Sequence, residues 1–301
     1  MMDTLKKRLG RRIREAREKS SLSREQLCRD ESQLTVRQLA RIELGQSLPS
    51  IVKLKYISDT LEMDMVDLLE GDNLTIPESY FELKYKLLKF PSYGDSERMQ
   101  QKSELITSIY DTYLDILPED ELFTLELLEN IQEHRITGNS VEAEVIFEDY
   151  FSQLLTKQHY QLNDLLLSSY YLMQSGQNSK KQADIKLIID TILAQPLKAS
   201  DEYSFALLGA MSSVAVYYVL MEKFEDIGNL TEKMNTIIDW TGQHSLKPVV
   251  LMLEAKYHLK VVQDKLKAEE LYKLGIFLAK TFGDQVLEKK ISQEMKNDLT
   301  T

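Results

Sequence analysis

Two helix-start signals stand close together near the beginning of the chain, and they leave little freedom for what folds around them. Ser23-Arg24-Glu25-Gln26 and Thr35-Val36-Arg37-Gln38 each place a hydroxyl residue three positions before a glutamine. In that pattern the hydroxyl accepts from the backbone N–H of the third following residue, while the glutamine reaches back to the cap residue's own N–H. Each signal therefore opens a short helix, and the polar run Asp30 to Gln33 separates the two. Val36, Leu39, Ala40 and Ile42 form the inner face of the second, and Gly45 suits its C-terminal stop. Upstream, Leu5, Leu9, Ile13 and Ala16 recur at helical spacing, which predicts an amphipathic helix over 4–19. Downstream, Pro49-Ser50 opens a fourth helix with Ile51, Leu54, Ile57 and Leu61 on one face, and Met65, Leu68 and Leu69 mark a short fifth.

Two short capped helices joined by a few polar residues form a helix-turn-helix, whose second helix enters the DNA major groove by its N-terminal end. Arg37 and Gln38 then lie on its first turn, with side chains suited to guanine and adenine edges. Arg41, one turn on, reaches a base or a phosphate. Ser23, Arg24, Arg12 and Lys53 are the expected phosphate contacts, at helix starts or on the basic flank. Two plainer readings stand beside these: Gln38 serves only as the cap partner, and Arg41 and Glu43 are ordinary surface charges. Charge favours the nucleic-acid reading. Residues 1–55 hold 14 lysines and arginines against 7 acids, a net +7, so the remainder carries −18 toward the total of −11. A basic head on an acidic body points the head at a polyanion.

Across its 301 residues the chain has only 11 Gly and 6 Pro, which favours an all-α fold over a turn-rich sandwich. Cys28 is the sole cysteine, so no internal disulfide forms, as fits a cytoplasmic protein. The basic N-terminus lacks the apolar run of a signal peptide, and no membrane span is expected. Beyond Asp72 the pattern is helical, with breaks near Gly94-Asp95, Pro118, 137–139, 158–159, 175–179, 196–200, 223–224, 245–248, 263–264 and 283–284. Breaks about every twenty residues imply helix pairs about every forty, a helical-hairpin repeat. The clearest unit sets Ala255 and Tyr257 on one helix against Ala268, Tyr272 and Ala279 on the next, as in a tetratricopeptide (TPR) unit. Stacked hairpins present a concave face for an extended peptide or helix.

No constellation supports catalysis. His134, His159, His244 and His258 lack metal-ligand spacing, and no Cys-x-x-Cys, P-loop or Gly-x-Ser-x-Gly motif is present. No cofactor or metal is expected. Pro118-Glu119-Asp120-Glu121 reads as an acidic helix start. Cys28, Tyr170-Tyr171, Tyr217-Tyr218 and Trp240 read as core residues.

Over about residues 5–70 the motif ending "IELGQSLPS" resembles the repressor-type (XRE) helix-turn-helix. An XRE head, a linker over 71–78 and a TPR-like body over 79–301 is the plan of the peptide-sensing RRNPP or Rgg-type regulators. The segments "DNLTIPESYFELKYKLLKFPSY", "DILPEDEL" and "SLKPVVLMLEAKYHL" are similar to the ComR-like competence regulators within that family. The resemblance implies a short imported peptide that binds the body and turns a DNA-silent form, expected to be monomeric, into a homodimer on duplex promoter DNA that activates transcription of competence genes. It also implies Ser92 and Lys102 as peptide contacts, with Ser245 and Lys247 in a second matching segment. A lysine in an acidic body suits a peptide's free carboxylate. Gly94 departs from relatives with arginine there, which leaves the peptide's charge preference open. The charge split adds a further expectation: Glu119, Asp120 and Glu121 silence the head by pairing with Arg37. A phage-type repressor with a dimerising tail, and a TPR protein that inhibits a partner, are the rival readings.

Overall fold

The computed structural model describes residues 5–69, 76–137, 147, 150–174 and 182–300. These belong to two compact units: residues 1–87 with 100–156, and residues 88–99 with 157–301. The expected head therefore shares a unit with the first part of the expected repeat body.

In the first unit five helices form the head: α1 (Leu5–Lys19), α2 (Arg24–Cys28), α3 (Val36–Glu43), α4 (Ile51–Thr60) and α5 (Met65–Leu69). Both capping boxes are complete, at Ser23 with Gln26 and at Thr35 with Gln38. Ser50 caps α4 through the Lys53 N–H. Leu9, Ile13, Leu27, Leu39, Ile42, Leu54 and Ile57 fill one core. Ile51, expected on the inner face of α4, is 62% exposed; at the first helical position it lies before the turn that packs. Gly10 lets α1 touch α3, since a Cβ there would sit 2.1 Å from the Ile42 carbonyl oxygen. Arg17 and Arg24, from α1 and α2, both bind Glu43 at the end of α3, and Arg17 also donates to the Leu22 carbonyl. Glu43 is thus a buried tie between three helices, not a surface charge.

The rest of this unit comes from α6 (Glu78–Lys89) up to Leu87, α7 (Ser96–Tyr113) from Gln100, α8 (Glu119–Thr137) and helical residues 150–154. Tyr80 of α6 packs edge-on against Tyr113 of α7, whose hydroxyl donates to Ser79. Phe123 of α8 stacks on Tyr150 with ring centroids 4.0 Å apart.

The second unit is built from α9 (Leu162–Gln174), α10 (Gln182–Leu193), α11 (Asp201–Leu220), α12 (Ile227–Thr241), α13 (Lys247–Tyr257), α14 (Lys265–Thr281) and α15 (Gln285–Thr300). From α11 to α15 each helix packs on the next. Ala255, Ala268, Tyr272 and Ala279 are fully buried in the last of these packings, as their spacing predicts. Tyr170, Tyr171, Tyr217 and Tyr218 are core residues, whereas Trp240 is 51% exposed on the last turn of α12. One long apolar run stands out, at α11. Tyr203 to Leu220 is an uncharged run long enough to cross a membrane, but 67% of it is buried inside this unit, where an apolar helix serves as core. The expected breaks at 138–139 and 175–179 lie outside the described residues.

Candidate nucleic-acid interface and peptide-contact residues

The Thr35 box aims the start of α3, yet it also uses Gln38: its Oε1 accepts from the Thr35 N–H and the residue is buried. Gln38 is therefore a cap partner here rather than a reader of adenine. Arg12 is likewise drawn inward, donating to the Leu68 and Leu69 carbonyls at the end of α5. A helix end leaves such carbonyls without partners, and a guanidinium supplies them. Ser23 is engaged in its own cap and Arg24 in the Glu43 tie. Arg37 stays half-buried on the first turn of α3. It lines a cavity of about 420 Å³ with Arg41, Gln46, Glu126, Asn130 and Phe147.

Arg41 faces α8 within the same unit. Its guanidinium lies 3.4 Å from the Glu119 carboxylate and donates to Glu126 at 3.0 Å. Lys53 pairs with Asp120, and the Glu119 N–H donates to the Leu48 carbonyl in an isolated bridge between Leu48 and Pro118. Gln153 adds a bond to the Glu31 carbonyl in the turn before α3. Glu119 has no solvent exposure, and its burial pushes the carboxyl above its ordinary range, with Arg41, Ser47 and Lys53 pulling the other way.

The three acids expected on Arg37 thus face other cations: Glu119 meets Arg41, Asp120 meets Lys53, and Glu121 is taken by Lys84 and Tyr80 of α6. The physical reason is where α8 begins. Pro118 is bridged to Leu48, beyond the C-terminal end of α3, so Glu119 meets Arg41 on the last turn of that helix and Asp120 meets Lys53 on α4. Glu126, absent from the sequence expectation, lies seven residues after Glu119. That spacing returns a side chain to the same helical face and was the available signal.

Of the residues expected to contact a peptide, Lys102 belongs to the first unit, and Ser92, Ser245 and Lys247 to the second. Lys102 is buried on α7, and desolvation together with the nearby Arg135 charge lowers its pKa to about 7. Ser92 is buried, and its hydroxyl has no hydrogen-bond partner among the described residues. Lys247 donates to Asn235, which donates to Glu254; Ser245 is exposed in the turn before α13. Gln243, two residues before Ser245, carries a buried amide with no partner among the described residues, a feature that its sequence neighbours do not signal.

A family model described as ComR tetratricopeptide matches residues 77–295. Among solved structures, the apo competence regulator ComR from Streptococcus vestibularis is 41% identical, with a TM-score of 0.86 over 98% of this chain and 99% of that one. Apo ComR from S. thermophilus is 38% identical, with a TM-score of 0.88 over 97% and 99%. The same S. thermophilus protein in complex with DNA and its signalling peptide ComS gives 0.71 over 96% and 99%. No curated protein matches the chain.

Proposed function

Because the chain belongs to the ComR family of competence regulators, we propose that it is a cytoplasmic transcription regulator whose DNA-binding head is held closed until a short signalling peptide binds. Bound peptide releases the head, the chain dimerises on promoter DNA, and competence genes are activated. It is a switch and not an enzyme. The observation that carries this reading is Arg41 of the helix-turn-helix, held against Glu119 and Glu126 of the same compact unit.

Several modest contacts suffice for such a closed state. An exposed ion pair is worth about 0–1 kcal/mol, and the part-buried pairs of Arg41 and Lys53 join two backbone-directed bonds at Leu48 and Glu31. Their sum is a bias that a peptide can overturn, provided that it binds the open form more tightly. Arg37 and Arg41 are the base and backbone readers of the open head. Ser92, Lys102, Ser245 and Lys247 are the peptide contacts, with Lys102 on the terminal carboxylate. Solved structures of the family contain both ligand classes: one S. thermophilus relative is bound to DNA and to the peptide ComS.

The test is fluorescence anisotropy with the duplex of the S. thermophilus complex, with and without synthetic ComS. Tight DNA binding only with peptide supports the reading. Equal binding in both conditions overturns the closed head, and binding in neither overturns the transfer of the relative's ligands to this chain.

A further inference from the structure

The turn carrying Ser92 is held in a conformation that its own sequence disfavours. The Asp95 N–H donates to the Ser92 carbonyl at 2.9 Å, and both central residues are left-handed, Tyr93 at φ 48° and Gly94 at φ 71°. A tight turn of the I′ class requires this pair of angles. Glycine adopts them freely, but tyrosine does so at a cost, and such a residue persists only where its surroundings over-determine it.

Those surroundings lie within the second unit. Tyr93 packs against the cluster formed by Leu251, Ala255, Ala268, Leu271, Tyr272 and Ile291, drawn from α13, α14 and α15. Its ring also lies against the Arg98 guanidinium, 5.8 Å from centroid to carbon. Arg98 holds Asp284 with two nitrogens, at 2.8 and 3.3 Å, and returns a bond to the Pro91 carbonyl just before the turn. Asp284 has a second task. Its Oδ1 accepts from the Leu287 N–H, so it caps α15. One carboxylate therefore serves both the start of the C-terminal helix and the arginine that closes the turn.

We propose that Arg98, Asp284 and Tyr93 form a clasp that presents the Ser92 hydroxyl to a peptide carbonyl or carboxylate oxygen and couples its occupancy to the seating of α15. The ligand half of this inference rests on the peptide-binding reading above; the mechanical half does not. The three are positioning residues: they set the turn, and Ser92 makes the contact. Whatever the peptide does to the turn is transmitted to the cap of α15, and α15 in turn biases peptide affinity by the same factor.

Asp284→Asn separates the two tasks, because asparagine is as good a cap as aspartate but carries no charge for Arg98. Two measurements are made on the full chain: hydrogen exchange over 90–96 and 284–288, and affinity for labelled ComS. Asp284→Asn is expected to speed exchange of the Asp95 amide and to weaken ComS binding roughly five-fold or more, the lower end of ordinary site-to-site coupling. Arg98→Lys, which keeps charge without the fork, is expected to lose less than Arg98→Gln. The double variant Arg98→Gln/Asp284→Asn is expected to be no worse than either single one, as for two halves of one device. Unchanged exchange over 90–96 in Asp284→Asn overturns the clasp. Faster exchange with unchanged ComS affinity, or additive losses, overturns the coupling. A wild-type chain that binds no ComS overturns the peptide reading instead, and the exchange data still decide the clasp.

Discussion

The Arg41 guanidinium lies 3.4 Å from a Glu119 carboxylate that has no contact with solvent. A buried acid faced by one arginine is an effective restraint only while both partners remain. A neutral isostere keeps the shape of the acid but leaves Arg41 part-buried without its counter-charge, which penalises the closed state alone. Glu119→Gln combined with Glu126→Gln should therefore open the head. Peptide-free DNA affinity is expected to rise about ten-fold or more, the equivalent of ~1.4 kcal/mol taken from the closed state. Anisotropy with the duplex of the S. thermophilus complex measures it, and unchanged silence would place the restraint elsewhere.

Arg37 and Gln38 are neighbours on α3 with different jobs, and substitution should separate them. Arg37→Ala is expected to leave thermal stability near wild type while costing ~1–3 kcal/mol in discrimination between operator and random duplex. Gln38→Ala should do the reverse, lowering stability by about 1 kcal/mol through the lost capping box. Paired melting and binding measurements on both variants distinguish the roles.

Lys102 should make peptide binding depend on pH. Burial holds its pKa near about 7, below the ordinary lysine value of 10.5. A peptide carboxylate beside it favours the charged form, so binding above neutrality takes up a proton. Affinity is then expected to fall as pH rises through and beyond about 7, until the bound-state pKa is reached. The sign for folding is the opposite: the unfolded chain binds the extra proton between about 7 and 10.5, so this group's penalty on stability is relieved as pH rises. Calorimetry in two buffers of different ionisation enthalpy reads the proton uptake, which Lys102→Met should abolish.

Gly10→Ala tests the seat of the recognition helix. The new Cβ would lie 2.1 Å from the Ile42 carbonyl, and backbone on both sides leaves little room to yield. A loss of ~1–3 kcal/mol is expected, in the range measured for overpacked cores. Denaturant unfolding of the full chain measures it; a wild-type midpoint would mean that α1 and α3 separate freely.

What the sequence by itself determined is local. Ser23 with Gln26 and Thr35 with Gln38 are helix starts because every group they satisfy lies within three residues. The core faces of α1 and α3 follow from helical periodicity, and the buried alanines around Tyr272 follow from the need for small residues where helices cross. Gln38 shows the limit of such reading. Its amide suits a base and a cap equally well, and only burial against the fold assigns it to the cap. The choice of ion partners was decided by tertiary structure. Arg41 and Glu126 are 85 residues apart, and nothing local to either residue marks the other as its partner. Charges of one sign are interchangeable to a sequence, since Coulomb attraction is not directional. The Leu48–Pro118 bridge fixes the register of that meeting, and neither residue carries a local signal for it.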